Sequence, residues 1–199
     1  MPKNIHLEDR TSTLDRTNLR TNNPEYIIMH STNSYPEFED LLKKHKYQNR
    51  WKGVGYHLFL SDSNRVHSCR PFNLEGEHAW GFNLNSVGFC IYTHNEKINR
   101  EKIRIGKEVL TYLRKELGEI PLISHSLAQV TYFNKLLKEN GFEKQFPEDQ
   151  RIINKKFFSE VKSEVDSFIS GLSTSKYSKL KDSIKSFRNC PGELFNHFI

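Results

Sequence analysis

Cysteine is scarce in this chain: Cys69, Cys90 and Cys190 are the only three among 199 residues. So few thiols, odd in number, exclude the disulfide framework of a small secreted domain and favour a reducing compartment, where a thiol can serve as a ligand. No two cysteines stand two to four residues apart, the spacing that closed structural zinc sites use. No apolar run approaches the roughly 18 residues of a membrane span. The polar start MPKNIHLEDR lacks the apolar core of a signal peptide, so synthesis in the cytoplasm without an export signal is expected. Internal repeats and low-complexity tracts are missing too, which argues for one domain spanning 1–199.

A chain of this length buries roughly two-thirds of its unfolded surface without staples. Its hydrophobic fraction of 36% and charged fraction of 27% are those of a globular protein. The net charge of +6 and pI near 9.1 favour an anionic partner without choosing among nucleic acid, a membrane surface and an acidic polymer.

The segment Trp51 to Tyr92 organises the rest. Tyr56 to Leu60 reads as a strand, Asp62-Ser63-Asn64 as a turn closed by its own side chains, and Val66 to Arg70 as the returning strand. Val87 to Tyr92 is a nearly continuous apolar run, suited to a strand covered on both faces. Between the hairpin and this run lies a polar loop, Glu75 to Ser86, a natural place for function. Upstream, residues 1–24 read as an extended arm.

Two further apolar strands end in histidine: Tyr26 to His30, and Ile120 to His125. In a mostly parallel or mixed sheet such strand tips aim both imidazoles into one crevice. Either histidine by itself is more simply a hydrogen-bonded core residue. Helical spacing is evident over Pro36 to His45, with Ser34 as cap, over Asn99 to Leu117 up to Gly118, over Ser126 to Gly141, over Ile152 to Leu172, and around Tyr177 to Phe187. Lys43, Lys44, His45 and Lys46 read as a solvated face, and Glu143 to Gln150 as a linker. The fold class is therefore α/β: a central mostly parallel or mixed sheet flanked by helices.

His30, His125 and Cys190 together offer two imidazoles and a thiolate, the stoichiometry of a catalytic zinc site with one open position. Spacing leaves other choices open among nine histidines and three cysteines. The passages YIIMHST, GVGYHLFL, GEHAWGFNLNSVGFCIY, LISHS and RNCPGELF, with an Arg-Pro pair between the second and third, narrow that choice. In this order they resemble the zinc-dependent N-acetylmuramoyl-L-alanine amidases of the peptidoglycan recognition protein superfamily, which includes phage amidases. The resemblance covers residues 26–125 almost colinearly and about twelve residues at the end.

It implies that His30, His125 and Cys190 hold Zn2+, and that Tyr56 stabilises the tetrahedral intermediate. Arg188 falls where active relatives often carry a lysine; a guanidinium stabilises an oxyanion but does not deliver a proton at neutral pH. His78, Trp80 and Asn83 fall on the loop lining the glycan and peptide groove, and His57 is a further substrate-binding candidate beside Tyr56. Cys90 and Cys69 are expected to be core, and the general base is left unassigned.

The implied reaction cleaves the amide between N-acetylmuramic acid and L-alanine. Peptidoglycan or muropeptides are the expected partners of a monomer, reached by assisted release. Direct nucleic-acid binding is not expected. A non-cutting peptidoglycan binder and a regulator of a polymerase are the alternatives. Relatives place the metal cysteine roughly ten residues after the second histidine; here about sixty intervene, so 126–187 is expected to be a helical insertion.

Overall fold

The computed structural model describes residues 5–95, 97–149, 155–172, 177–185, 187 and 190–199. Six strands form one mixed sheet: β1 Leu7–Asp9, β2 Tyr26–Thr32, β3 Leu58–Leu60, β4 Val66–Ser68, β5 Ser86–Tyr92 and β6 Leu122–Ser124, in spatial order β1-β4-β3-β5-β2-β6. The hairpin β3–β4 is the antiparallel pair, and every other pairing is parallel. β5 lies at the centre with all seven residues buried, which accounts for its unbroken apolar run.

Alternation along β2 divides the chemistry. Ile27 and Met29 point into the main core with Val87, Phe89 and Ile91, covered by α2 (Arg100–Leu117) through Ile105, Val109, Leu110 and Leu113. Ile28 and His30 point to the opposite face, occupied by α1 (Phe38–Leu42), the 75–86 loop and α3 (His125–Glu139). α2 begins at Asn99, whose side chain accepts from the Lys102 N–H, and ends at Gly118 with φ +82.

Several local expectations change. The N-terminal arm contributes an edge strand, Leu7 opposite Val66, too short for periodicity to reveal. α1 is capped by Glu37 and Asp40 in a reciprocal box instead of by Ser34. The β3–β4 turn is closed by the Ser61 hydroxyl and N–H on Arg65 O, with Asn64 at φ +61. Asp62 and Ser63 reach outward to Lys102 and Glu37. The lysine-rich end of α1, expected to be a solvated face, is divided by a π-helical turn over Lys43–Gln48: His45 is buried and accepts from the Gly55 N–H at 3.0 Å, and Lys46 donates to Thr13 O at 2.6 Å.

α3, α4 (Lys155–Ser170) and α5 (Ser178–Lys185) share a second apolar cluster: Val130, Phe133 and Leu137 against Val161, Val165, Ile169 and Leu180. The stretch read as a linker joins this cluster. Phe146 is buried, and its backbone N–H and C=O both pair with the Asn134 side chain at 2.8 Å. Residue 150, the end of that stretch, lies outside the described residues, as do 151–154 and Lys176.

Candidate active site

The parallel register sets Met29 opposite Ser124, which brings His30 and His125 together, their ring centroids 4.5 Å apart. Both strands differ slightly from expectation: β2 runs two residues past His30, and His125 opens α3 one residue after β6 ends. The Ser124 side chain caps that helix by accepting from the Leu127 N–H.

Cys190 arrives from far along the chain and is fastened by Ser126. The Ser126 hydroxyl accepts from the Cys190 N–H at 2.8 Å and donates to its carbonyl at 3.1 Å, while the Ser126 N–H donates to the same carbonyl at 2.9 Å. Its sulfur accepts from the Ser31 N–H at 3.3 Å and lies 3.8 Å from the Ser31 carbonyl oxygen. One donor atom from each of His30, His125 and Cys190 lies within 4.8 Å of the other two, and all three residues are buried. Tetrahedral ligands about 2.0–2.3 Å from an ion lie somewhat closer together, so small side-chain rotations suit these donors to one divalent metal. Sequence reading did not assign Ser126 a role; a serine following a histidine carries no signal of its own.

Behind His30 runs a string of buried imidazoles. His30 Nε2 and His78 Nδ1 share a hydrogen bond of 3.1 Å, and the His78 ring stands 5.5 Å from that of His57. Burial pushes the His78 pKa well below that of a free imidazole, reinforced by His57, His125 and Arg70. An outer partner of this kind fixes the orientation of a ligating histidine. His78 fits because Gly88, in mid-strand, leaves room: a Cβ there would sit 2.6 Å from His78 Cγ. Gly88→Ala is accordingly expected to cost about 1–3 kcal/mol. Chemical denaturation checks this, and unchanged stability would refute the packing account.

His57 does not reach the cavity. It is wholly buried, its Nδ1 accepts from the Gly88 N–H at 3.0 Å and its Nε2 donates to Leu74 O at 2.9 Å. Burial lowers its pKa to about 4. Asn83 holds the loop from within, its Oδ1 accepting from the N–H groups of His78 and Ala79. Trp80 is 56% exposed and lies off the cavity wall. Arg70, fully buried, donates to Val54 O, Glu75 O and Glu77, bracing the same loop. Arg188 lies outside the described residues.

The donors open into a cavity of about 400 Å³ whose wall includes Tyr35, Lys44, His45, Trp51, Tyr56, Glu77 and His78. The Tyr56 ring lies 4.9 Å from that of His30. Cys90, beside His30 in the sheet, is held neutral by burial, against a hydrogen bond from Tyr56 that pulls its pKa down. Cys69 is equally buried, its thiol raised by desolvation, and stands apart from the donor cluster.

A mixed sheet with helices on both faces is a fold this chain shares with solved peptidoglycan recognition proteins. Bumblebee PGRP-SA superposes with a TM-score of 0.55 at 20% identity, covering 62% of this chain and 85% of that one. The amidase LysC from Clostridium intestinale gives 0.55 at 21% identity, covering 82% and 99%. The N-acetylmuramoyl-L-alanine amidase family model matches residues 20–136, and the chain belongs to that family. The endolysins of Enterobacteria phage T3 and Escherichia phage T7 are each 32% identical, over 71 and 69 residues. Those matches take in 34% and 33% of this chain and 46% and 45% of the endolysins, just under half their length.

Proposed function

We propose that the protein is a zinc-dependent amidase that hydrolyses the bond between N-acetylmuramic acid and the L-alanine of peptidoglycan stem peptides. The observation that carries this reading is the convergence of His30, His125 and Cys190 on one cavity, in a chain of this family. When bound, zinc would polarise the scissile carbonyl and lower the pKa of water toward about 7.

The chain's own groups do the rest. Tyr56, on the cavity wall, offers a hydroxyl to the oxyanion that develops at the carbonyl, and Arg188 is proposed as a second donor to that charge. His78 and Ser126 keep the donors in place, His78 by holding the His30 ring and Ser126 by clamping the Cys190 backbone. Segment 126–187 is proposed as a helical insertion in which α4 and α5 pack on α3 and so return the chain to the site at Cys190. Peptidoglycan is the proposed partner of a monomer, reached by assisted release after synthesis in the cytoplasm.

The test is digestion of defined muropeptides and intact sacculi, followed by mass analysis. New L-alanine amino termini are expected, abolished by chelation and restored by zinc. Zinc-loaded protein that binds sacculi and releases no termini would replace the hydrolase reading with a binding one.

A further inference from the structure

Cys190 reaches the donor cluster between two apolar anchors that belong to different cores. Leu194 and Phe195, shortly after it, are buried in the main core with the residues of α2. Phe187, three residues before it, is buried instead in the cluster shared by α3, α4 and α5, its ring edge-on to Phe133 at 5.7 Å. Phe133 also meets Phe146 at 5.7 Å, so the ring that receives Phe187 is itself held.

α3 carries both fixed points. Ser126, near its start, clamps the Cys190 backbone, and Phe133, seven residues on, seats Phe187. Seven residues of α-helix rise about 10.5 Å, and three residues of chain reach at most about 10–11 Å. Rise and reach are matched, and a Phe187 seated on Phe133 limits how far Cys190 can move from Ser126. The other two donors do not depend on such a tether. His30 lies within β2 and His125 opens α3, held by the hydrogen bonds of those elements, whereas Cys190 belongs to neither strand nor helix.

We infer that Phe187 is a positioning residue for the third metal donor: seated on Phe133, it holds Cys190 within reach of His30 and His125 and ties the packing of α3, α4 and α5 to occupancy of the site. This rests on the ligand reading given above. Apparent affinity for the ion then scales with the fraction of molecules in which Phe187 is seated, and by linkage the bound ion steadies the three helices in return.

Zinc affinity of the full chain, measured by competition with a chromophoric chelator, tests it. Phe187→Ala is expected to bind zinc about 10–100-fold more weakly than wild type, and Phe187→Leu, which keeps an apolar anchor, to recover most of the loss. Phe187→Val should fall between them and decides the case if the alanine variant does not fold. Val165→Ala, which opens a cavity in the same cluster from α4, should lower the Tm of the metal-free protein comparably and leave zinc affinity within about twofold. Hydrogen exchange reads the linkage from the other end: zinc should slow exchange of the α5 amides in wild type and leave them unchanged in zinc-saturated Phe187→Ala. Wild-type affinity in the Phe187 variants, an equal loss in Val165→Ala, or α5 exchange indifferent to zinc in wild type would overturn the anchor and leave the ligand set standing. Wild type that binds no zinc would overturn the ligand reading and the anchor with it.

Discussion

Cys190→Ala is expected to abolish zinc binding and reduce amide hydrolysis to background, with a folded protein remaining. The thiolate supplies one of three converging donors, and the two imidazoles left behind make a far weaker site. The fold should persist because the cores on both sheet faces are built from other residues. Losing a small buried side chain costs about 1 kcal/mol, worth about 2–4 °C in Tm for the metal-free protein. Metal content by mass spectrometry and the thermal transition of the apo form are the measurements. Zinc near one per chain in Cys190→Ala would remove the cysteine from the ligand set.

Tyr56→Phe separates the chemistry from the metal. Its ring packs 4.9 Å from His30 and 5.5 Å from His45, contacts that phenylalanine keeps. Zinc content and KM should therefore stay near wild type while kcat falls about 100-fold, the cost of losing one oxyanion donor. Turnover equal to wild type would take Tyr56 out of the mechanism. Contrast with Cys190→Ala is informative in itself, since one variant loses the ion and the other keeps it.

The two histidines were legible because each sits at the end of a short apolar run, and a parallel sheet turns that local pattern into proximity. Tyr56 and His57 show where adjacency misleads. Neighbours on extended backbone point to opposite sides, so one residue faces the cavity and the other enters the sheet, where the amide of Gly88 and the carbonyl of Leu74 take up its ring nitrogens. Asn83, read from the sequence as a groove-lining residue, accepts from the N–H groups of His78 and Ala79 within its own loop. A polar side chain that serves backbone groups looks, in sequence, the same as one that serves a ligand.

Apolar periodicity and turn residues by themselves determined the α/β class, the central buried strand, the hairpin and α2, because these depend on neighbours a few residues apart. Resemblance to the amidases brought His30, His125 and Cys190 together on paper. Tertiary structure alone decided that Ser126 clamps Cys190 from 64 residues away, that His78 backs His30 across the gap left by Gly88, and that a π-turn sets Lys44 on the cavity wall. Each of those depends on strand register and on contacts between segments far apart in the chain, quantities that no local pattern of side chains encodes.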